Sequence, residues 1–311
     1  MTVAYIFPGQ GSQYPGMGKS LADEFSAARE VFEEADKALG FSIAKLCYEG
    51  PGEELQLTEN TQPAILAVSI AALRSLQSAG IKNPAFVAGH SLGEYSANVA
   101  AGSIAFADAS KVVKQRGRYM QEAVPVGTGA MAAVIGADLI EIERICREAS
   151  RDEVCAPANI NAPNQVVIAG NSTAVDRAAE MLQGIARKVV KLNVSAPFHC
   201  QLMMPAQARL AQDLDRVGFR DLQFPVITNV DAAPVRSGDQ TRAALIRQVS
   251  SPVRWLESMQ VLLQQGVDVF VEIGPGKVLS GLMRQISRTV KCLNVEDAES
   301  LARTRAELER L

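Results

Sequence analysis

Residues Val87 to Ala97 have the sequence VAGHSLGEYSA, in which an apolar run leads into the pattern Gly-x-Ser-x-Gly. Helix-forming residues follow directly. Glycines on both sides of Ser91 permit the cramped backbone of a sharp strand-to-helix turn, and the serine side chain projects from the tip of such a turn. The helix after it would direct its partially positive amino end toward a reacting carbonyl. The stretch therefore predicts a strand, an elbow and a helix, with Ser91 as a candidate nucleophile.

The segments around this elbow repeat the order of strand and helix. Short apolar runs predict strands at Thr2–Phe7 and Ala85–Ala88, and apolar residues recur at helical spacing from Leu21 to Leu39. A buried helix is predicted to open at Gln62 and Pro63. After Pro197, the runs PVITNV and VDVFVEIG predict strands on either side of a helix at Trp255–Gln265. This order favours a mostly parallel sheet with helices on both faces.

The middle of the chain follows a different pattern. It predicts, in order, a strand at Gly129–Gly136, a helix at Leu139–Ala149, strands around Ala158 and at Val166–Ala169, a helix at Thr173–Ile185 and a strand at Lys188–Val194. The order βαββαβ is that of a ferredoxin-like unit. We therefore expect an α/β fold: an α/β-hydrolase-like, mostly parallel sheet from residues 1–126 and 197–311, with a ferredoxin-like subdomain inserted at residues 127–196.

Composition narrows the classes of function. The 311 residues include 31 basic and 34 acidic side chains, a net charge of −3, and this balance argues against a nucleic-acid binder. The five cysteines form no Cys-x-x-Cys pair, so neither a disulfide framework nor a zinc site is indicated. The first residues lack the features of a signal peptide, and the apolar stretch Pro63–Leu73 is too short to cross a bilayer. We expect a soluble, cytoplasmic protein that binds neither nucleic acid nor membrane.

A nucleophilic serine needs a base, and the chain holds only two histidines, His90 and His199. His90 adjoins Ser91, and because adjacent side chains diverge at an elbow, we expect it to line the pocket or to hold the turn. His199 is therefore the candidate base. Four aspartates lie between the serine and this histidine in ordinary helix or loop contexts: Asp108, Asp138, Asp152 and Asp176. A Ser-His dyad oriented by a backbone carbonyl or an amide fits better than a triad.

Two further features of the sequence are better explained by ordinary structural roles. Residues Gln13–Ser20, QYPGMGKS, approach a phosphate-binding loop but lack its opening glycine, and no Gly-x-Gly-x-x-Gly follows a predicted strand. Cys200, beside His199, offers a second nucleophile, although a small buried side chain is the favoured interpretation. We expect no nucleotide cofactor and no metal.

Four motifs in order carry a family resemblance: FPGQGSQ near the start, GHSLGEYSA, QRGRYMQEA and EIGPGKVL near the end. Together they resemble the malonyl-CoA:acyl carrier protein transacylases, the stand-alone acyltransferases of type II fatty-acid synthesis. That family is related to the acyltransferase domains of polyketide synthases. The resemblance spans essentially the whole chain, including the inserted unit.

The resemblance implies roles for particular residues. Ser91 matches the acylated nucleophile, His199 its base, and Gln248 the glutamine whose carbonyl holds the histidine. Gln10 and Leu92 match the positions whose backbone N–H groups form the oxyanion hole.

The remaining matches line the acyl pocket. Arg116 matches the arginine that binds the malonyl carboxylate, and Met120 lies one helical turn further on. A lone arginine on a helix would otherwise be interpreted as a solvated charge. Asn159 matches a pocket asparagine, and Phe198 stands where some stand-alone members have serine and malonyl-selective polyketide acyltransferases have phenylalanine.

The implied activity is transfer of a malonyl group from malonyl-CoA to the phosphopantetheine thiol of acyl carrier protein through a malonyl-serine, in a ping-pong sequence. Because one thioester replaces another, neither a cofactor nor a metal is required. We expect a monomer whose carrier protein docks at Arg187, Lys188 and Lys191, or else around Arg284 and Arg288. Three alternatives remain: a trans-acting polyketide acyltransferase, a serine thioesterase or hydrolase, and a non-catalytic carrier-docking module.

Overall fold

Two sheets contain the strands of the computed structural model, which describes residues 1–81, 83–194 and 196–310. The strands are β1 (Val3–Phe7), β2 (Phe86–Gly89), β3 (Gly129–Ile135), β4 (Cys155–Ala162), β5 (Gln165–Asn171), β6 (Lys188–Lys191), β7 (Val226–Ile227), β8 (Pro234–Val235), β9 (Val269–Ile273) and β10 (Lys291–Val295). The larger sheet has the order β10-β9-β1-β2-β7-β8, and every neighbouring pair is parallel except β7–β8. The predicted mostly parallel sheet is confirmed.

Helices cover this sheet and connect its strands. They are α1 (Lys19–Glu24), α2 (Ser26–Leu39), α3 (Ile43–Glu49), α4 (Gly52–Gln56), α5 (Thr58–Ser78), α6 (Gly93–Ala100), α7 (Phe106–Glu122), α8 (Leu139–Ser150), α9 (Ser172–Met181), α10 (Met204–Leu214), α11 (Gly238–Gln248), α12 (Trp255–Gln264), α13 (Val278–Ile286) and α14 (Ala298–Glu309). A short 3₁₀ helix covers Gln201–Met203. None of the helices in the described ranges has the length and apolar character needed to cross a membrane.

The central strand β1 shows why these segments adopt a parallel sheet. Its sequence VAYIF is buried from Ala4 to Phe7, on both faces, as expected when helices cover a parallel sheet from both sides. Helix α5 packs on one face and is buried almost all round from Thr61 to Leu73. The sheet therefore separates two apolar clusters, one on the side of Tyr5 and Phe7 that includes α5 and one on the side of Ala4 and Ile6.

The predicted start of α5 at Gln62 and Pro63 is wrong. The helix begins at Thr58, so Pro63 occupies its second turn. The backbone N–H groups of Asn60 and Thr61 both donate to Leu57 O, at 2.8 Å each, and close the first turn ahead of the proline. Tertiary packing and this local capping outweigh the proline signal.

The single helix expected over Leu21–Leu39 is also divided. Phe25, at φ −116° and ψ 122°, is extended and separates α1 from α2. Two predicted strands are too long: the strand from Lys188 ends at Lys191, and the run PVITNV contributes only the two residues of β7. Apolar composition continues past these ends, but backbone pairing does not.

The inserted unit forms its own antiparallel sheet of order β4-β5-β3-β6, with α8 and α9 packed on one face around Val134, Ile145 and Val175. This is the ferredoxin-like arrangement expected from the order βαββαβ. The exact limits at residues 127 and 196 stay a prediction. Ser195, which begins the stretch SAPFHC, and Leu311 lie outside the described residues.

Backbone hydrogen bonds join the inserted unit to the larger sheet's domain. Ile160 N–H donates to Val253 O at 2.9 Å, and Val253 N–H donates to Ala158 O at 2.8 Å. Asn159 lies between them and forms an isolated parallel bridge with Val253. The open cleft between the two parts therefore has one edge held by main-chain contacts.

Candidate active site

The elbow at Ser91 forms because two glycines let three backbone segments meet. Strand β2 ends at Gly89 and α6 begins at Gly93, while Ser91 adopts a left-handed conformation at φ 51°. A Cβ atom at Gly89 would lie 1.9 Å from Gly93 C and O, and one at Gly93 would lie 2.1 Å from Phe7 O. Neither approach is possible for a larger residue, so the Gly-x-Ser-x-Gly pattern has a steric cause here.

The second histidine of the chain lies beside the serine. Ser91 Oγ is 2.7 Å from His199 Nε2, and His199 Nδ1 is 2.9 Å from the backbone oxygen of Gln248. A carbonyl oxygen only accepts hydrogen bonds, so Nδ1 carries the hydrogen and Nε2 is left to accept the serine proton. The geometry is that of a Ser-His dyad oriented by a backbone carbonyl.

The surroundings of His199 keep its imidazole uncharged. Burial, and then the positive charge of Arg116, lower the pKa of His199 from 6.5 to about 3. At neutral pH the ring is therefore a neutral acceptor and can take a proton from Ser91.

Two backbone N–H groups near the serine lack acceptors. Leu92 is the residue before the first turn of α6, and Gln10 lies in the loop after β1. Within the described parts of the chain, neither N–H donates to another group. Free N–H groups on two sides of a nucleophile are the donors that an oxyanion requires.

Arg116, on α7, is fully buried and is not a solvated charge. Its Nη1 donates to Gln62 Oε1 at 2.7 Å, and its Nη2 donates to Gln248 Oε1 at 2.9 Å and to Ser91 Oγ at 3.2 Å. Every one of these acceptors is neutral. The guanidinium therefore lies beside the nucleophile with no carboxylate directly paired to it among the described residues.

Two residues that hold the elbow through hydrogen bonds, Asn229 and Glu94, were not predicted from the sequence. Asn229 Oδ1 accepts from Ser91 N–H at 2.7 Å, and Asn229 Nδ2 donates to Gly89 O at 2.7 Å. Glu94 Oε2 accepts from Asn229 N–H at 2.9 Å and from Gln248 Nε2 at 2.8 Å. Asn229 follows β7, at the carboxyl edge of a parallel sheet where functional side chains gather, and this position was the available signal.

A cleft of about 840 Å³ opens above the dyad between the two sheets. Six of the nine predicted site residues line it: Gln10, Ser91, Met120, Asn159, Phe198 and His199. The other three, Leu92, Arg116 and Gln248, are fully buried below it. All nine are therefore gathered at one place, although the roles assigned to them by resemblance stay proposals.

The remaining candidates have structural surroundings. His90 lines the cleft, as expected, and its Nε2 lies 2.8 Å from Asn161 Oδ1; burial lowers the pKa of His90. The thiol of Cys200 donates to Pro197 O at 3.1 Å, and burial raises its pKa to about 11, so it stays a protonated thiol. The described residues contain no group of three His, Cys, Asp or Glu side chains that could hold a metal ion.

Known proteins are similar to this chain over almost its whole length. The family model of the acyl transferase domain matches residues 4–310. The chain is similar to the malonyl CoA-acyl carrier protein transacylase of Escherichia coli K12, with 47% identity over 300 residues, 96% of this chain and 97% of that protein.

Solved structures are similar over the whole chain. An acyl carrier protein S-malonyltransferase from Vibrio cholerae superimposes with a TM-score of 0.96 at 46% identity, covering 98% of this chain and all of that one. A type II PKS acyl-carrier protein in complex with its malonyl-transacylase gives a TM-score of 0.96 at 46% identity, with 100% of both chains covered. This chain, whose serine elbow and arginine lie in the motifs that carried the resemblance, belongs to the acyl transferase domain family.

Proposed function

We propose that this protein transfers the malonyl group of malonyl-CoA to the phosphopantetheine thiol of an acyl carrier protein, through a malonyl ester on Ser91. The observation that carries the proposal is the position of Arg116, a fully buried cation whose Nη2 lies 3.2 Å from Ser91 Oγ. A cation this close to the acylated oxygen suits an acyl group that ends in a carboxylate. The names of the similar enzymes support the same substrate.

Acylation begins with proton transfer from Ser91 to His199. The neutral Nε2 accepts the hydroxyl proton while Oγ attacks the thioester carbonyl, and the Gln248 carbonyl stabilises the imidazolium that forms. The N–H groups of Gln10 and Leu92 bind the oxyanion. The imidazolium then protonates the departing CoA thiolate, which leaves the malonyl ester on Ser91.

The malonyl carboxylate is bound by Arg116. Nη2 releases its hydrogen bond to Ser91 Oγ and, with the unpartnered Nε, provides adjacent donors for the two carboxylate oxygens. Met120 and Phe198 form apolar walls of the pocket, and Asn159 adds a polar group at its edge.

The second half-reaction reverses the first with a different thiol. His199 accepts the proton of the carrier protein's phosphopantetheine thiol, and the thiolate attacks the malonyl ester. Neither ATP nor a metal is needed, because one thioester replaces another. An acyl-carrier protein is the partner in one of the similar solved complexes, which supports this acceptor.

Within this proposal, the carrier protein docks beside the cleft and the enzyme acts as a cytoplasmic monomer in fatty-acid synthesis. Arg187 and Lys188 are exposed and precede the cleft-lining residues 192–194, whereas Lys191 is already paired with Asp176 at 2.8 Å. Arg187 and Lys188 are therefore the proposed docking residues, and Arg284 and Arg288, exposed at or after α13, which also lines the cleft, are the alternative. The same chemistry would supply a polyketide carrier, and exchange of carrier proteins in the transfer assay separates the two pathways.

Labelled malonyl-CoA tests the function against its alternatives. Intact-protein mass spectrometry should show one malonyl adduct that is absent in Ser91→Ala and is discharged by holo acyl carrier protein but not by water. A hydrolase would lose the label to water, and a docking module would never acquire it. Either result would overturn the proposal.

A further inference from the structure

The buried carboxyl group of Glu94 has no place in the reaction as described so far. Glu94 is the second residue of α6 and is fully buried, directly below the nucleophile. Its Oε2 accepts from Gln248 Nε2 and from Asn229 N–H, and its Oε1 has no hydrogen-bond partner among the described residues. A buried carboxyl group with one unpaired oxygen is costly and calls for a compensating interaction.

The compensating charge is that of Arg116, and the side-chain amide of Gln248 lies between Arg116 and Glu94. Gln248 Oε1 accepts from Arg116 Nη2 at 2.9 Å, while Gln248 Nε2 donates to Glu94 Oε2 at 2.8 Å. The amide dipole thus has its oxygen toward the cation and its nitrogen toward the acid. Only this orientation of the amide satisfies both neighbours. The two buried charges are coupled without touching.

We infer that Glu94 is the internal counter-charge of Arg116 and sets how strongly the arginine binds the carboxylate of an incoming acyl group. The inference rests on the proposed function, because it takes Arg116 as the group that binds malonyl. Glu94 acts through Arg116 and touches no substrate, so it is a positioning residue that determines specificity.

The binding of a malonyl group changes the charge balance of this cluster. In the empty site, ionised Glu94 balances Arg116. In the loaded site, two anions share one guanidinium, and their repulsion opposes malonyl binding unless Glu94 takes up a proton. An acetyl group brings no charge and leaves the balance as it was. Malonyl binding should therefore depend on the protonation of Glu94, and acetyl binding should not.

The other ionisable groups that face Glu94 are few. They are Arg116 on α7, the neighbouring Tyr95, and the pair formed by Asp231, after β7, and Arg247 on α11. The last two bind each other at 2.6 Å, so their charges largely cancel at Glu94. Burial raises the pKa of Glu94 to about 7, and the hydrogen bonds from Asn229 and Gln248, followed by the charge of Arg116, oppose that rise. The group can therefore change its charge near neutral pH.

The test compares Glu94→Gln, which removes the charge and keeps an oxygen for Gln248 and Asn229, with the wild-type enzyme. We expect the ratio of kcat/KM for malonyl-CoA to that for acetyl-CoA to rise about tenfold at pH 8. In the wild type, the KM for malonyl-CoA should rise from about pH 6 to about pH 8, because ionised Glu94 then competes for Arg116. In Glu94→Gln that dependence should disappear, and Glu94→Asp should restore it.

Two control variants separate the possible failures. Glu272→Gln removes another fully buried carboxyl group, whose oxygens accept from Leu279 and Ser280 N–H, and it should lower the melting temperature without changing the substrate ratio. If Arg116→Ala affects malonyl and acetyl transfer equally, the proposed function fails. If Arg116→Ala selectively impairs malonyl transfer while Glu94→Gln leaves the ratio and its pH dependence unchanged, only the role of Glu94 is overturned.

Discussion

The two nitrogens of His199 face different groups, and this asymmetry decides what the ring can do. The Gln248 carbonyl holds the Nδ1 hydrogen, and Nε2 lies 2.7 Å from Ser91 Oγ. Because burial and Arg116 lower the pKa of His199 to about 3, the ring stays neutral over the whole physiological range. A base of this kind does not lose its function when the solution becomes mildly acidic.

We therefore expect the acylation of Ser91 by an uncharged activated acetyl ester to keep a constant rate from about pH 8 to about pH 5, after correction for the ester's own hydrolysis. Stopped-flow release of the leaving group measures this rate, with His199→Ala as the inactive reference. An inflection near the ordinary histidine pKa of 6.5 would contradict the assignment.

The same pKa difference has a consequence for stability. Between pH 6.5 and about 3 the unfolded imidazole binds a proton that the folded one does not. The free energy of unfolding should therefore fall as the pH is lowered through this window, and the loss should be smaller in His199→Gln. Urea titrations at several pH values measure it. An equal loss in both proteins would show that other groups dominate the acid sensitivity.

Arg116 should separate malonyl from acetyl transfer. Arg116→Ala leaves the malonyl carboxylate buried without a partner, so we expect malonyl transfer to lose about 3 kcal/mol or more of transition-state stabilisation while acetyl transfer survives. Arg116→Lys should lie between, since it keeps the charge but loses the planar fork. The measurement is kcat/KM for both thioesters.

Arg118→Ala is the matched control for this prediction. Arg118 is an exposed arginine two residues along α7, paired with Glu122. Its loss should change neither substrate by more than about twofold. Equal losses of malonyl and acetyl transfer in Arg116→Ala would make Arg116 a structural residue.

The reacting residues and Gln248 could be predicted from the sequence, but Asn229 and Glu94, which hold the elbow, could not. Ser91 has an elbow motif, and His199 is one of only two histidines. Asn229 has only the weaker signal of its position after a predicted strand, and Glu94 looks like an ordinary acid in the first turn of a helix. Their hydrogen bond joins residues 135 positions apart, which local patterns do not record.

Among the elements, the turn between β2 and α6 has no room for a side chain at its glycines. Gly93→Ala would place a methyl group 2.1 Å from Phe7 O, in the centre of the sheet. We expect a loss of about 3 kcal/mol or more in the free energy of unfolding, measured by urea titration. Gly281→Ala, in α13 where a Cβ atom meets nothing within 4 Å, should instead gain about 0.5–1 kcal/mol. Similar effects of the two changes would show that the elbow is not tightly packed.

Element types were predictable from sequence, whereas their limits were not. Alternation of strand and helix gave the parallel sheet, and the order βαββαβ gave the inserted unit. The start of α5 was missed because Pro63 is a strong local signal for a helix start. Contacts of Thr58 with Gly117 on α7, where an added Cβ atom would lie 2.5 Å from Thr58 O, fix the first turn instead. Such contacts form only after folding.

Across the whole molecule, the cleft has one wall from each sheet, and the carrier protein must reach the serine between them. Charge reversal of Arg187 and Lys188 to Glu should raise the KM for holo acyl carrier protein roughly fivefold without changing acylation by malonyl-CoA. Reversal of Lys37 and Lys111, exposed residues that do not line the cleft, is the control. An unchanged KM for the carrier protein would contradict this docking site and favour docking at Arg284 and Arg288.

The pair of backbone hydrogen bonds at Val253 ties one edge of the inserted unit to the larger domain, and α12 and α13 pack against β4 at the same edge. These contacts attach one edge of the cleft to the domain that carries Ser91. The depth of the cleft therefore sets the length of the arm that can reach Ser91. Coenzyme A and a carrier protein differ greatly in size, but the thioester of the first and the free thiol of the second must each be carried on an arm of that length.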